Sequence, residues 1–250
     1  QLRSAMKNGE MRMYFQPKVS LITGKVVGAE ALLRWMRGDI VFSCPSEFIP
    51  MIEQKGMMPD LGEWALAQAC RQLSDWKRSG INFPGRMSVN ISPRQIDTLD
   101  FVCNASRIVK EYGVDPSEIE LELTEGCFYD DVDRMVIMLS ALRGAGFMLA
   151  IDDFGTGYSS LAKIRNLPVD TIKIDKSFVK DLHASENSSG RALIQAIVSM
   201  TKTLGLVSVA EGVEHQEHIE ILKEVGCDEV QGFYMGHPMS ADDFADKWLY

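Results

Sequence analysis

The chain has little of what marks several common protein classes. It has no apolar run near the roughly 20 residues that a bilayer-crossing helix needs, and its first residues, Gln1 to Lys7, form no apolar signal segment. No Met stands first, so a fragment or processed product of a longer chain is expected. Basic charge is scarce: 26 Lys and Arg face 35 Asp and Glu, a formal net charge of −9, which excludes a protein that coats a nucleic-acid polymer. Cysteine is sparse and scattered. Cys44, Cys70, Cys103, Cys127 and Cys227 are odd in number and form no C-x-x-C pair. A disulfide framework and a thiolate zinc site are therefore excluded, and mostly buried, reduced thiols in a cytoplasmic setting are expected. His215 and His218 lie three apart, as surface residues of one helix do. Low-complexity segments, long linkers and charge blocks are missing too, so residues 1–250 are expected to form a single domain.

What is present is 250 residues that are 46% hydrophobic, enough for a large core. Short apolar stretches near 12–19, 26–34, 86–91, 118–124, 147–152, 169–174, 206–211 and 229–232 read as strands. Helical patterns fall near 59–79, 100–112, 131–143, 187–204, 215–225 and 240–248. Pro59-Asp60 opens one helix and Gly80 closes it; Gly113, Gly144 and Gly205 follow three others. Strands alternating with helices imply parallel pairing, and about eight of them in this length predict an α/β fold, a (β/α)8 barrel of the TIM type. The start departs from that scheme. Met13 to Ser20 and Lys25 to Trp35 are joined only by Leu-Ile-Thr-Gly, a hairpin-length connection. A modified barrel with an antiparallel first strand is expected, with an open doubly wound sheet as the alternative.

Barrel active sites gather at the C-terminal ends of the strands. Those ends are polar here: Glu30, Asn90, Glu122 followed by Glu125, Asp152 and Asp153, Lys173 and Asp175, Glu211, Gln231. A lone Asp after a strand is usually a turn former or a helix cap; a polar group on strand after strand is not explained that way. In Ile119-Glu-Leu-Glu-Leu-Thr124, the apolar residues share one face while Glu120, Glu122 and Thr124 share the other. In Met87-Ser-Val-Asn-Ile91 and Thr171-Ile-Lys-Ile-Asp175, Ser88 with Asn90 and Lys173 with Asp175 likewise oppose the apolar face. In a barrel those polar faces point inward. Glu30, Glu122, Asp152, Asp153 and Glu211 against Lys173 leave a net charge of about −4, which two divalent cations would balance. Oxygen ligands, one amide and no thiolate suit Mg²⁺ or Mn²⁺, and such a pair suits in-line hydrolysis of a phosphodiester. Lys173 is placed to orient a water or to offset developing negative charge.

The sequence resembles the EAL domain family. The segment Val27-Gly-Ala-Glu-Ala-Leu-Leu-Arg-Trp35 contains the signature Glu30-Ala-Leu32. The likeness continues through Tyr14-Phe-Gln-Pro17, Ser88-Val-Asn-Ile-Ser92, Glu120-Leu-Glu-Leu-Thr-Glu125, Asp152-Asp-Phe-Gly-Thr-Gly157, Lys173-Ile-Asp175, Ala210-Glu-Gly-Val-Glu214 and Gln231-Gly-Phe233, in order over nearly the whole chain. The resemblance implies a phosphodiesterase that opens cyclic di-GMP to linear pGpG with Mg²⁺ or Mn²⁺. It also implies roles. Glu30, Asn90, Glu122 and Asp152 bind metal, with Asp152 shared between two ions; Asp153 and Glu211 serve the second ion; Lys173 sits beside the nucleophilic water. Glu125 anchors the loop Phe154 to Ser160, which such domains use to link dimerisation to metal binding. Gln16 and Arg34 contact substrate, and Gln231 and Glu214 complete the rim. A homodimer and a covalently linked sensory or GGDEF domain are implied as partners.

The sequence departs from the family pattern at Gly126, where Ser is common, at Met235 and His237, and in the stretch from Arg37 to Cys44, which lacks a His-Pro pair. None is a proposed metal ligand. Two other readings stay open. A catalytically weak module that only binds cyclic di-GMP would have lost acidic ligands or the loop, whereas Gly155, Thr156 and Gly157 are kept. A Schiff-base aldolase on Lys173 needs a depressed lysine pKa, and five nearby carboxylates act the other way.

Overall fold

A computed structural model of the chain describes residues 2–96, 100–128, 132–157, 165–182 and 189–250. Its strands are β1 (Met11–Ser20), β2 (Val26–Arg37), β3 (Ile40–Ser43), β4 (Arg86–Asn90), β5 (Ile119–Thr124), β6 (Met148–Phe154), β7 (Thr171–Ile174), β8 (Val207–Ala210) and β9 (Glu229–Val230). They pair in the order β1-β9-β8-β7-β6-β5-β4-β2-β3, and β1 also pairs with β2, which closes the ring. β1 is antiparallel to both its neighbours, while β2 and β4 to β9 run parallel around the rest of the barrel. The open doubly wound alternative is therefore excluded. β3 hangs outside the ring, antiparallel on β2.

The helices described are α1 (Leu2–Lys7), α2 (Pro45–Gln54), α3 (Met58–Arg78), α4 (Pro93–Ile96), α5 (Phe101–Tyr112), α6 (Val132–Gly144), α7 (Lys176–Lys180), α8 (Ser189–Leu204), α9 (Gln216–Val225) and α10 (Ala241–Trp248). α3 shows why the long ones form. Leu61, Leu66, Ala69, Leu73 and Trp76 recur at helical spacing and are buried, Asp60 lies in the first turn, and Lys77 and Arg78 lie in the last, complementing the helix dipole. Gly113 and Gly205 take the left-handed φ of a helix stop. Gly144 does not: it is the last residue of α6, and Gly146 takes the positive φ instead. The starts expected at 131 and 187 lie outside the described residues.

The apolar core sits between barrel and helices. Ile119, Leu121 and Leu123 of β5 join a cluster with Leu139, Leu142 and Phe147. Phe15 of β1 meets Trp76 of α3 at 5.4 Å, and Trp76 stacks on Phe244 of α10 at 5.7 Å between ring centroids. The barrel interior is polar instead: Lys18, Ser88, Glu120, Glu122, Thr171 and Lys173 are all buried. α1, α2, α4, α7 and β3 have no counterpart among the elements read from the sequence. β3 is a surface arm whose Ile40, Val41 and Phe42 are exposed, so it carries no alternation of buried and exposed positions. The expectation of mostly buried thiols holds for Cys70, Cys127 and Cys227, while Cys44 and Cys103 are exposed; all five are free. His218 corrects the reading of a surface residue. It is buried, its ring lies edge-on to His215 at 5.1 Å, and its Nδ1 accepts a long bond from the Glu214 amide.

Candidate active site

The strands deliver their polar ends to one place. Lys173, on β7 and fully buried, is the centre. Its Nζ lies 2.6 Å from Glu122 Oε2, 2.7 Å from Glu211 Oε1, 3.0 Å from Asp152 Oδ1 and 3.5 Å from Glu30 Oε2. Four carboxylates from β5, β6, β2 and the residue after β8 thus surround one ammonium. Asn90 Nδ2 donates to Glu30 Oε1 at 2.6 Å, which leaves the Asn90 carbonyl oxygen free to act as a ligand. Gln231 Nε2 donates to Glu30 Oε2 at 2.6 Å and to Gln16 Oε1 at 3.1 Å, and Gln16 Nε2 donates to the Gly236 carbonyl. Gln231 Oε1 is buried with no partner.

The charge balance shows in the acidities. Burial opposes the charge on Lys173, but Asp152, Glu122, Glu211 and Glu30 outweigh it and hold the ammonium well above its ordinary range. Held as an ammonium by these four carboxylates, it is poorly suited to the Schiff-base reading, which needs a depressed lysine pKa. Burial lifts the Glu211 carboxyl to about 8; Lys173 opposes this, and Asp152 and Glu30 add to it. Burial, then Asp152 and Asp175, lift Asp153 to about 6. The site is short of positive charge even with Lys173 inside it. Carboxylate oxygens of Asp152, Asp153 and Glu211 all come within 4.8 Å of one another, a spacing one cation can bridge. The hard oxygen donors, the shared deficit of charge and the unpartnered Gln231 Oε1 all fit divalent cations of the Mg²⁺ or Mn²⁺ kind.

Asp153 is the only non-glycine residue with positive φ among those described, at 52°. Such a backbone is held by its surroundings, and the next segment supplies them. Thr156 Oγ1 donates to the Asp153 carbonyl at 2.9 Å. Glu125 is buried after β5, and its Oε2 accepts the Gly155 and Gly157 amides at 2.9 and 3.2 Å. Gly155 has φ 99°, and a Cβ there would fall 2.5 Å from the Phe178 ring. The anchoring expected of Glu125 thus has a geometric basis for 154–157; the rest of the expected loop, 158–160, lies outside the described residues.

A cavity of about 320 Å³ opens above the carboxylates, lined by Gln16, Glu30, Glu211, Glu214, Gln231 and Phe233, with Lys176 and Lys180 of α7 at its edge. The two lysines were missed in the sequence, where they look like ordinary helix-surface charges. Arg34 does not line this cavity. It lies two residues beyond Leu32, which does, with its guanidinium 5.9 Å from the Tyr14 ring centre and one nitrogen donating to the Leu33 carbonyl. Lys18 was missed as well, since a lysine inside a barrel leaves only a break in an apolar strand as its signal. Its Nζ reaches Glu122 from below at 2.7 Å.

Fold and site together define a modified (β/α)8 barrel with a reversed first strand and an acidic centre at the strand ends. Comparison with known proteins gives that class its family. The EAL domain family model matches residues 1–238, and the chain belongs to the EAL domain family. The chain is 37% identical over 241 residues to the bifunctional diguanylate cyclase/cyclic di-GMP phosphodiesterase MucR of Pseudomonas aeruginosa, covering 96% of this chain and 35% of that protein. It is also 37% identical over 237 residues to the cyclic di-GMP phosphodiesterase PA2567 of the same species, covering 95% of this chain and 40% of the relative. The chain therefore spans well under half the length of either. A solved complex of PaMucR phosphodiesterase with c-di-GMP superposes with a TM-score of 0.90 at 37% identity and covers 97% of both chains.

Proposed function

We propose that this chain acts as one EAL domain that hydrolyses cyclic di-GMP to linear pGpG with two divalent cations, Mg²⁺ or Mn²⁺. The observation that carries the reading is the convergence of Glu30, Glu122, Asp152 and Glu211 on Lys173. A barrel that only had to be stable would not gather unbalanced carboxylates at its centre. The family and the likeness to proteins described as cyclic di-GMP phosphodiesterases supply the substrate.

Glu30, Asn90, Glu122 and Asp152 would hold one cation, and Asp152, Asp153 and Glu211 a second. When bound, such cations lower the pKa of water and polarise phosphoryl oxygens. Lys173, charged throughout, keeps the carboxylates together and donates to the water or to the oxygens of the phosphate as negative charge builds. Gln16 and Gln231 fix Glu30 and offer amide groups to the substrate. Arg34 is assigned to a substrate phosphate, which requires its guanidinium to swing from Tyr14 toward the cavity. Lys176 and Lys180 add positive charge at the rim beside Glu214. The Glu125-anchored segment keeps Asp153 in its left-handed backbone.

We further propose a homodimer, and a sensory or GGDEF domain joined to this one in a longer chain, as the relatives' greater length suggests. No described helix is long and apolar enough to cross a membrane. Five free cysteines fit a cytoplasmic domain. The test is direct: incubation with cyclic di-GMP and Mn²⁺ should yield pGpG by chromatography, and chelation should stop it. Cyclic di-GMP that binds but is returned intact would leave a sensor module instead.

A further inference from the structure

The barrel interior beneath the site holds a second charged layer that the proposed reaction does not use. Lys18, only 3% exposed, spends its three donors on Ser88 Oγ at 2.6 Å, Glu120 Oε2 at 2.8 Å and Glu122 Oε1 at 2.7 Å. Glu120 is satisfied in turn by Ser88 at 2.7 Å and, through its other oxygen, by Thr171 Oγ1 at 2.7 Å. The β1–β2 register slips between Lys18 and Val19, an irregularity of the kind that re-aims a side chain.

Nothing about stability requires this layer. Barrels of this class usually fill the position with branched apolar side chains, and exchanging a buried ion pair for such residues is commonly neutral or stabilising. Its place explains it better. The two oxygens of Glu122 go to two different lysines: Oε2 to Lys173 on the cavity side, Oε1 to Lys18 on the closed side. A cation entering from the cavity competes with Lys173 for Oε2. To reach Oε1 it would have to break the buried 2.7 Å bond from Lys18.

We infer that Lys18 is a positioning residue for the metal site, fixing Glu122 through Oε1 so that Glu122 offers a divalent cation Oε2 alone. Glu120 is the counter-charge that keeps Lys18 in place. The two buried charges lie 2.8 Å apart, each the other's partner. The inference rests on the metal-site reading above, and deepens it by setting how one ligand binds.

The test uses Mn²⁺ titrated calorimetrically into the nucleotide-free protein. Lys18→Met keeps an unbranched apolar stem out to the Cε position and removes the ammonium that pins Glu122; its Kd for Mn²⁺ is expected to rise about 10- to 100-fold, as when outer-shell partners of metal ligands are lost. Lys18→Met with Glu120→Gln no longer buries an unpaired charge. It should recover much of the melting temperature while Mn²⁺ binding stays weak. A purely structural Lys18 predicts recovery of both, and that result overturns the inference, as does unchanged affinity in Lys18→Met. A crystal structure of the unaltered protein with Mn²⁺ decides even where neither variant folds. Glu122 bound through Oε2 alone, with Oε1 still on Lys18, supports the inference; bidentate Glu122 overturns it. An unaltered protein that binds no Mn²⁺ overturns the metal-site reading itself, and this inference with it.

Discussion

Lys173 sits where charge is most crowded, and its removal separates binding from chemistry. Lys173→Ala leaves the residues lining the cavity in place, so KM for cyclic di-GMP should stay within a few-fold while kcat falls by about 10²-fold or more. Steady-state kinetics checks the split; a loss confined to KM would remove Lys173 from the reaction. Breaking a buried ion group also costs about 3–5 kcal/mol, so this variant should melt early without metal and regain stability when Mn²⁺ is added. Glu30→Ala removes a proposed metal ligand, a carboxylate that accepts hydrogen bonds from both Asn90 and Gln231. Turnover should vanish, and retained turnover at saturating Mn²⁺ would refute the ligand assignment.

At the scale of elements, the turn after β6 decides whether Asp153 is presented. Glu125 holds the Gly155 and Gly157 amides from the end of β5, so two strands meet in one hydrogen-bonded clasp. Glu125→Ala should weaken Mn²⁺ binding by about tenfold, read by the Mn²⁺ dependence of kcat; an unaltered dependence would argue against coupling through this clasp. Gly155→Ala tests the same turn from the backbone side. At φ 99°, and against the Phe178 ring, the added methyl should cost at least about 1 kcal/mol of stability, measured by urea denaturation. The strand that carries Asp152 and Asp153 was legible from its apolar run, and so was the glycine turn. Arg34 shows the limit at this scale: its place on β2 follows from the apolar stretch near 26–34, but its position over Tyr14 depends on a neighbouring strand.

For the whole molecule, the gathered carboxylates tie stability to pH. The carboxyl of Glu211 moves from an ordinary 4.5 to about 8 on folding, and that of Asp153 from 3.8 to about 6. A carboxyl whose pKa rises on folding binds its proton more tightly in the native state. Its contribution is complete below the unfolded pKa and is lost as pH rises through the folded one. The metal-free protein should therefore melt at lower temperature as pH climbs from about 5 to 8. Glu229, lifted to about 7 by burial, acts in the same direction. Mn²⁺ held by Glu211 and Asp153 as proposed would replace their protons, so it should flatten the slope and release protons on binding. Thermal melts with chelator and with Mn²⁺ across that range check this, and a metal-free protein that gains stability toward pH 8 would contradict the charge balance drawn here.

The order of strands and helices, the four-residue link after the first strand and the polar residues at the strand ends were enough to predict a barrel with a reversed first strand and to put Glu30, Asn90, Glu122, Asp152, Glu211 and Lys173 at one end of it. These features follow from local geometry: strands have a period of two, parallel strands need helical crossovers, and a four-residue link makes a hairpin. The tertiary structure decided what depends on closure. It made Lys173 the shared partner of four carboxylates, brought Lys18 from β1 under Glu122 on β5, buried His218, and set Lys176 and Lys180 at the cavity's rim. The reason is distance. Lys18 and Glu122 are 104 positions apart, and only the curvature of a closed barrel brings their charges into contact.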